Sequence, residues 1–487
     1  MKRMQWLLAA LLITAAAVSC GDGDAAQTTD TTGAETGTGT AVETEKAFDP
    51  FAELPEKDYE GYEFNMLIRP LERWTNDMYV EEANGDPVDD AVFERNSRIE
   101  EKYNIDIVCT PSSNSNHETD GVTAILAGDD AYDLIVAHGR AAFNYANQSL
   151  LLDWNTELPY VNLDNPWWDQ DARTSLSIND NLYVMTGDLS YCAMGAANVM
   201  LFNKALFNEL DMDYPYQAVK DGTWTYEAWE NLVMEGSFDL NGNGTIEMEY
   251  DRYGYVTQKW VGPIQAFATS GLRILSKDKD DIPSLSMMSD KTVEVFDWYF
   301  NIIDSDVAYV GVGDTSYDAD FISIFDEGRS LFIDINMYNV TTMRSMTADF
   351  GIIPWPKYDE SSEYSTNVDA GTNMCIVPIT AGDPERTSIV LESMSAIGYN
   401  SVLPAYYEVA LQTKASRDDE SAEMLDIIKS ARIFDLGYYN EEMSGAYANE
   451  FVNFLDNNLP RNFASWYEKN EKAVLRKLQK SIENYLE

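Results

Sequence analysis

Short apolar runs alternate with amphipathic stretches along most of this chain, and this alternation restricts the fold more than any other feature. The run Asp133-Leu134-Ile135-Val136-Ala137 is continuous and apolar, as expected of a strand buried on both faces. Upstream, Glu63–Ile68 and Ile105–Cys109 have strand character, and Val88–Tyr103 between them has apolar residues at helical spacing. Strands that alternate with helices predict an α/β fold with a largely parallel sheet.

The downstream part of the chain adds strands and then a helix-rich stretch from Ser388 to the end. At 487 residues the chain is too long for one small core, which predicts two lobes or domains. The further predicted strands are Leu182–Met185, Val199–Phe202, Leu331–Ile335 and Cys375–Pro378. The last segment is amphipathic, with an apolar stripe of Tyr467, Val474, Leu475, Leu478, Ile482 and Tyr485.

The net charge excludes some classes of partner. It is −50, from 83 acidic and 33 basic residues. Such a field repels a phosphate backbone, so we expect no nucleic acid partner, and it disfavours anionic lipid surfaces for the folded part. It also favours a soluble monomer. With only two histidines, at positions 117 and 138, chemistry that needs several histidines is excluded.

The N-terminal residues resemble a bacterial lipoprotein signal. Lys2 and Arg3 precede an apolar run from Trp6 to Val18, which is too short to span a bilayer comfortably. The run ends in Ala17-Val18-Ser19-Cys20, which resembles a lipobox, although Ala17 stands where Leu is usual. We expect residues 1–19 to be a signal peptide and Cys20 to be acylated. The alternative is an ordinary secretory signal cleaved nearby.

Residues 20–55 are expected to form a disordered tether behind the lipid. From Gly21 to about Lys46 the composition is Thr, Gly, Ala, Asp and Glu without an apolar period, which cannot bury a core. A flexible chain of this length has a reach of roughly 30 Å. No second apolar run long enough to span a bilayer follows. The expected location is therefore extracellular, with contact to the cell membrane only through the lipid anchor.

The pattern of cysteines does not indicate a disulfide scaffold or a zinc-ribbon protein. There is no CxxC pair, and beside Cys20 only Cys109, Cys192 and Cys375 remain, which allows at most one disulfide. The alternative is that these three are small buried hydrophobic residues.

Six segments together resemble the family of extracellular solute-binding proteins that serve ABC importers, especially its sugar-type branch. Their order and spacing carry the resemblance from about Tyr59 to the end of the chain. The segments are NSRIEEKYN at 96–104, LAGDDAYD at 126–133, VMLFNK at 199–204, GTWT at 222–225, GRSLF at 328–332 and GIIPWP at 351–356.

The resemblance implies a two-lobed, periplasmic-binding-protein-like α/β fold in which a hinge closes the lobes over ligand in the cleft between them. The first lobe is expected to combine 56–190 with 345–400, and the second 191–344 with the C-terminal helices in 401–487. The implied function is capture of a small polar solute, with a sugar or oligosaccharide as the default and peptide as another option. The implied partner is the permease of an ABC importer.

Candidate ligand-binding residues are chosen by position, because ligands in sheets of this kind bind beyond the carboxyl ends of the strands. A sugar site needs flat apolar faces for the ring and planar polar groups for the hydroxyls. For each candidate the alternative is a core aromatic or a solvated charge. The position after a predicted strand selects Arg69, Trp74, His138, Arg140, Asp188 and Tyr191. Trp355 is added because it follows a strand-like run near the second hinge crossing, and Asp369 because it lies in a Gly-containing loop. Tyr338 is added from the resemblance, because maltose-binding-type proteins carry a sugar-stacking aromatic at this place. Asp188 and Tyr338 are expected on facing walls of the cleft.

The segment Asp239-Leu240-Asn241-Gly242-Asn243-Gly244-Thr245-Ile246-Glu247 resembles the opening of an EF-hand-type calcium loop, with oxygen side chains at alternate positions. The twelfth position is Tyr250 rather than an acid, and Asp251 follows one residue later. The alternative is an Asn-Gly turn that needs no ion. No cofactor is required, and the candidate ligands of a structural Ca²⁺ are Asp239, Asn241, Asn243, Thr245, Glu247 and Asp251.

Two other classes of function remain open from the residues alone. One is a secreted carbohydrate-active enzyme, because paired acids and aromatics also build glycosidase sites. The other is a surface sensor or adhesin that binds ligand without transport. The sequence contains no GxSxG, HExxH or GxGxxG motif and no phosphate-binding Gly-Lys-Ser/Thr loop, which favours binding without catalysis.

Overall fold

The fold is taken from a computed structural model, which describes residues 48–113, 118–311, 319–343, 346, 349–411, 419–456 and 460–486. The predicted signal peptide, Cys20 with its predicted acylation and most of the predicted tether lie outside these residues. Phe51, near the end of the predicted tether, packs edge-on against Tyr103 with ring centroids 5.8 Å apart. Packing on the core therefore begins before residue 56.

The strands confirm the predicted α/β class. In chain order they are β1 Tyr62–Ile68, β2 Ile105–Pro111, β3 Leu134–His138, β4 Asn198–Asn203, β5 Tyr253–Gln258, β6 Leu275–Lys277, β7 Pro283–Leu285, β8 Ala308–Gly311, β9 Ser330–Asn336, β10 Phe350–Ile353, β11 Thr366–Asn367, β12 Asn373–Ile376 and β13 Arg432–Ile433.

Helices lie between and around these strands. In chain order they are α1 Glu72–Thr75, α2 Pro87–Tyr103, α3 Glu118–Ala127, α4 Gly139–Ala146, α5 Gln170–Leu176, α6 Cys192–Gly195, α7 Lys204–Glu209, α8 Tyr216–Lys220, α9 Tyr226–Gly236, α10 Gly262–Thr269, α11 Asp290–Ile303, α12 Ala319–Asp326, α13 Met337–Thr342, α14 Pro384–Asn400, α15 Val402–Leu411, α16 Asp419–Ser430, α17 Leu436–Tyr439, α18 Glu441–Ser444, α19 Tyr447–Asp456 and α20 Phe463–Leu486.

Helix α2 shows how local sequence sets an element. Asp86 caps it by accepting hydrogen bonds from the backbone N–H groups of Val88 and Asp89, and Pro87 occupies the first turn. The helix ends at Asn104, which adopts a left-handed conformation with φ of 50°. These two caps place the predicted helix between β1 and β2.

The first sheet has the strand order β12-β3-β1-β2. Strand β1 pairs in parallel with β2 and β3, and Met66 lies opposite Leu134. Strand β12 pairs antiparallel with β3. Residues 134–137 are all buried, as their continuous apolar pattern predicts.

The second sheet has the order β10-β4-β9-β5-β8 and is mixed rather than largely parallel. Strand β4 runs antiparallel to β9 and β10, whereas β5 runs parallel to β9 and β8. The sequence places all of 345–400 with the first lobe, but β10 pairs in the second sheet and β12 in the first. The chain therefore returns to the first sheet between these two strands.

The predicted strand Leu182–Met185 is not formed as a strand. The Leu182 N–H donates to the Asp153 carboxylate at 3.0 Å instead of to a neighbouring strand. Of these four residues only Met185 forms a β-bridge, with Cys375. The predicted strand Cys375–Pro378 begins two residues earlier, as β12, and ends before Pro378, which lacks an N–H for the ladder.

The C-terminal helices contact elements that belong to both sheets or lie beside them. Helix α16 contacts β10 of the second sheet, and α15 contacts α2 beside the first. The stripe predicted along α20 is buried at Tyr467, Val474, Leu478 and Tyr485, and Ile482 is half-buried. The prediction that Leu475 belongs to this apolar stripe is wrong, because Leu475 is 44% exposed.

The three cysteines in the described part of the chain, Cys109, Cys192 and Cys375, are free thiols. Cys192 and Cys375 are buried, in agreement with the alternative that they serve as small hydrophobic residues. Within the described ranges, no helix combines the length and the apolar character that crossing a bilayer requires.

Candidate ligand-binding site

The carboxyl ends of strands from both sheets meet at one place, which we call the interlobe site. Strand β1 of the first sheet leads into Arg69 and Trp74, and β9 of the second sheet leads into Tyr338. The rings of Trp74 and Tyr338 meet edge-on, with centroids 5.4 Å apart and an interplanar angle of 87°. Two residues predicted from opposite lobes are thus in direct contact.

Trp74 is surrounded by cations rather than open to solvent. It is 5% exposed. The guanidinium carbon of Arg69 lies 3.9 Å from the centroid of its ring, and that of Arg73 lies 4.4 Å away. Such cation–π contacts hold both guanidinium groups in place. In this conformation Trp74 orients the arginines and does not offer a free face to a sugar.

Arg69 has few polar partners. Its Nη1 donates to the carbonyl oxygen of Gly371 at 2.5 Å. Burial lowers the pKa of Arg69 to about 10, and burial also lowers the pKa of Arg73. Both side chains are half-buried, so solute can still reach them.

Tyr338, which follows β9, and Tyr191, which lies in the first crossing between the sheets, line the same region. The Tyr338 hydroxyl donates to the carbonyl oxygen of Cys192 at 3.1 Å. Tyr191 is half-buried and stacks on Tyr406 at 4.9 Å between centroids, so one of its faces is covered. Its backbone N–H donates to the buried Asp77 carboxylate at 2.8 Å, which fixes the crossing segment.

A second cluster lies beyond the carboxyl end of β3. His138 Nδ1 accepts a hydrogen bond from the Arg140 backbone N–H at 3.2 Å. Arg140 Nη1 forms an ion pair with Glu441 Oε1 at 2.9 Å, and its guanidinium lies 5.0 Å from the centroid of the Tyr438 ring. Burial acts to lower the pKa of Arg140, but Tyr438 and Glu441 together raise it above its usual value.

Asp369 and Trp260 join this cluster to the rest of the site. Asp369 Oδ2 accepts a hydrogen bond from Tyr438 Oη at 2.7 Å, and its Oδ1 accepts the Gly371 N–H at 2.7 Å. Trp260, which follows β5 of the second sheet, lies 5.8 Å from the Arg140 guanidinium. Gly371 therefore links the two clusters, because its carbonyl binds Arg69 and its N–H binds Asp369.

Two predicted ligand-binding residues lie elsewhere. Asp188 has its pKa raised to about 7 by burial, with Arg432 and Lys429 opposing that shift. The expected placement of Asp188 and Tyr338 on facing walls of the cleft stays a prediction. Trp355 is fully buried and packs against Trp229 at 5.7 Å between centroids, which makes it a core residue.

The structure adds residues that sequence reasoning missed. Trp260 follows a strand that the apolar pattern did not reveal, and Arg73 lies between two residues that were selected. Tyr438 and Glu441 come from short helices near the C-terminus, where no predicted strand pointed to a site. The rule that ligands bind after strand ends could have found Trp260 but not the last two.

The loop that resembles a calcium site closes on its own backbone. Asp239 Oδ1 and Oδ2 accept the N–H groups of Gly242 and Gly244, both at 2.7 Å. Asp251 is fully buried, and its two carboxylate oxygens accept the N–H groups of Leu240 and Glu247, both at 2.8 Å. Asp251 thus ties the ends of the loop together and is not presented as an ion ligand. In the described part of the chain, no group of three or more His, Cys, Asp or Glu side chains converges as a metal site.

Asn241 and Asn243 continue the same pattern. Their Oδ1 atoms accept the N–H groups two residues further on, at 2.9 and 2.8 Å. Glu247 Oε2 accepts a hydrogen bond from Asn243 Nδ2 at 2.8 Å. These oxygens keep further lone pairs, so the residues present fit an oxygen-ligated cation as well as a bare turn.

No protein-family model matches the chain, and no curated protein matches it in sequence. Solved structures do match. The chain is similar to a cyclo/maltodextrin-binding protein complexed with maltotetraose, with a TM-score of 0.55 and 11% identity over 87% of this chain and 97% of that one. It is similar to an ABC substrate-binding protein from Listeria monocytogenes in complex with cycloalternan, with a TM-score of 0.52 and 14% identity over 87% and 98%.

A further similarity is to a sugar transporter protein from Rhizobium etli in an open conformation, with a TM-score of 0.56 and 9% identity over 87% of this chain and 99% of that one. Identities this low show the fold alone. They agree with the two sheets and the crossing segments described above. The chain has the two-lobed α/β fold of the solute-binding proteins of ABC importers.

Proposed function

We propose that this chain is an extracellular solute-binding protein that captures a small polar solute, a sugar or an oligosaccharide, and delivers it to the permease of an ABC importer. The observation that supports the proposal is the interlobe site, where strand ends of both sheets bring together aromatic rings and polar groups. Among the similar structures are a cyclo/maltodextrin-binding protein, an ABC substrate-binding protein in complex with cycloalternan and a sugar transporter.

The residues of the site suit sugar capture. Tyr338 and Trp260 supply aromatic surface, and Asp369 and His138 supply polar atoms beside it. Because the two sheets contribute different residues, closure of the lobes around a solute would complete its contacts, and opening would release it. Binding without turnover is the expected chemistry.

Tyr338→Ala is predicted to weaken the binding of any saccharide that stabilises the protein. The substitution removes aromatic contact from the second-lobe wall of the site, and we expect affinity to fall about ten- to a hundredfold. A thermal-shift screen over mono- and oligosaccharides and peptides identifies the solute, since a ligand that binds only the native state raises the melting temperature. Isothermal titration calorimetry then measures the change in affinity.

The matched control for this experiment is Tyr358→Ala. Tyr358 lies on the second lobe but contacts Glu294, outside the interlobe site, so its removal should leave affinity unchanged. An equal loss in both variants would place the solute elsewhere. Recovery of a cleaved saccharide, in place of the intact one, would favour the enzyme alternative.

Anchoring at Cys20 gives a second prediction. Cys20→Ala removes the thiol that would be acylated, so the protein should lose incorporation of labelled fatty acid and appear in the medium rather than in the membrane fraction. Cys109→Ala is the matched control, since that free thiol lies in the folded part and its loss should change neither result. Membrane retention and labelling of the Cys20 variant would contradict the anchor.

The third prediction concerns a structural Ca²⁺ in the loop that begins at Asp239. Removal of divalent cations with a chelator should lower the melting temperature by roughly a few degrees, because a cation that binds only the folded loop stabilises it. Asp239→Ala should lower the melting temperature and abolish the response to chelator. Differential scanning calorimetry with and without chelator measures both effects.

Asp278→Ala is the control for the loss of hydrogen bonds alone. Asp278 closes another exposed turn by accepting the N–H groups of Asp280 and Ile282. That variant should keep the full response to chelator. If the unaltered protein melts at the same temperature with and without chelator, the loop is a turn that needs no ion.

A further inference from the structure

The interlobe site is rich in positive charge, in contrast to the rest of the chain. The whole protein has 33 basic residues against 83 acidic ones. Yet Arg69, Arg73 and Arg140 all lie at this site, within contact of its aromatic rings. In a chain with a net charge of −50, three arginines at the candidate ligand site indicate that positive charge has a function there.

Arg140 is neutralised within the protein, but Arg69 is not. Arg140 has an ion pair with Glu441 at 2.9 Å. Arg69 forms no ion pair with any carboxylate of the described residues, and its hydrogen bond goes to the neutral carbonyl of Gly371. The carboxylate that acts on it from further away is Asp369, whose two oxygens already accept hydrogen bonds from Gly371 and Tyr438.

A second positive charge adds to that of Arg69. Burial lowers the pKa of Arg69, and the nearby Arg73 lowers it further. Trp74 holds the two guanidinium groups at 3.9 and 4.4 Å from its ring centroid, so they cannot easily move apart. The result is a fixed pair of half-buried cations at the edge of the site, beside Tyr338, whose ring centroid lies 5.7 Å from the Arg73 guanidinium.

We propose that the interlobe site binds an anionic saccharide, whose carboxylate group is received by Arg69 and Arg73. The inference rests on the proposed function and adds the class of solute to it. A guanidinium presents its N–H donors in a planar fork that matches the two oxygens of a carboxylate. The aromatic surface of Tyr338 then lies next to the sugar ring that carries this group.

The overall negative charge does not oppose this assignment at short range. At physiological ionic strength, charges more than about 8 Å apart are largely screened from each other. A carboxylate in contact with a half-buried guanidinium therefore responds mainly to the local charge, which is positive. A neutral saccharide would leave the Arg69 guanidinium with the neutral Gly371 carbonyl as its hydrogen-bond acceptor.

Isothermal titration calorimetry on the full folded protein tests the assignment with three probes. These are trigalacturonate, the neutral trisaccharide maltotriose and a sulfated disaccharide. We expect trigalacturonate to bind more tightly than maltotriose. Arg69→Gln should reduce its affinity about 10- to 100-fold, since one charge-assisted hydrogen-bonding group is lost, and Arg69→Lys should recover part of that loss.

The control variant is Arg173→Gln, which removes a half-buried arginine paired with the exposed Asp164 and should not change affinity for any probe. The melting temperature of each variant checks that it is folded, and Arg73→Gln carries the same expectation if the Arg69 variant does not fold. Maltotriose binding as tight as trigalacturonate, insensitive to Arg69→Gln, would overturn the anionic assignment and leave the proposed function standing. Preference for the sulfated probe would contradict the assignment of a carboxylate as the group that the arginines bind. Binding of no saccharide would overturn both proposals.

Discussion

Asp334→Asn should stabilise the protein at pH 8 and flatten the dependence of its stability on pH. Asp334 lies in β9 with no exposed surface, and its Oδ2 accepts a hydrogen bond from the Tyr255 hydroxyl at 2.8 Å. Burial raises the pKa of Asp334 to about 7, so the folded protein holds this proton more tightly than the unfolded chain does. Stability from this group is complete below the ordinary aspartate pKa of about 4 and is lost as the pH rises through 7.

The size of the effect follows from the shift. The pKa of Asp334 differs by about three units between the folded and the unfolded protein. Ionisation of this group therefore lowers the free energy of unfolding by about 4 kcal/mol. Asparagine cannot ionise, so its variant should avoid this loss. Urea denaturation from pH 5 to 8 measures the free energy of unfolding of both proteins. Their difference should grow with pH, whereas the exposed control Asp278→Asn should give a constant difference. Parallel curves for Asp334→Asn and the unaltered protein would contradict the prediction.

Arg386→Met should cost about 3–5 kcal/mol of stability, because it leaves a buried carboxylate without its counter-charge. Arg386 Nη2 lies 3.1 Å from Asp133 Oδ1, and the side chain of Asp133 is 2% exposed. The guanidinium also lies 3.4 Å from the centroid of the Tyr62 ring, so its removal loses packing as well as charge. Asp133 lies immediately before β3, which makes this pair part of the support of the first sheet.

A double-mutant cycle separates charge from packing. Asp133→Asn in the Arg386→Met background should restore part of the stability, since the remaining buried group is then neutral. The control Arg173→Met breaks the exposed pair with Asp164, and such surface pairs contribute about 0–1 kcal/mol. Urea denaturation at pH 7 measures the unaltered protein, Asp133→Asn, Arg386→Met, the double variant and the Arg173→Met control. A loss in Arg386→Met no larger than in Arg173→Met would show that the buried pair contributes little.

Part of the candidate site could be predicted from the sequence, because it depends on strand ends. Arg69 and His138 follow runs whose apolar pattern identifies them as buried strands, and both lie at the interlobe site. Asp188 was placed by the same rule after Leu182–Met185, but those residues do not form a strand, so the rule had no basis there. Trp355 follows a real strand, β10, and still points into the core, because the position after a strand does not fix the direction of a side chain.

The sequence by itself determined the class of fold and the places where strands end, since both follow from local periodicity and burial patterns that neighbouring residues impose. It could not determine which distant segments meet. Arg140 forms an ion pair with Glu441, about three hundred residues away along the chain, and the Tyr438 hydroxyl donates a hydrogen bond to Asp369. Only the tertiary structure decided these contacts, because they depend on how two sheets and the C-terminal helices pack. It also decided that Trp74 holds two guanidiniums instead of lying open, since the exposure of a side chain depends on all its neighbours in space.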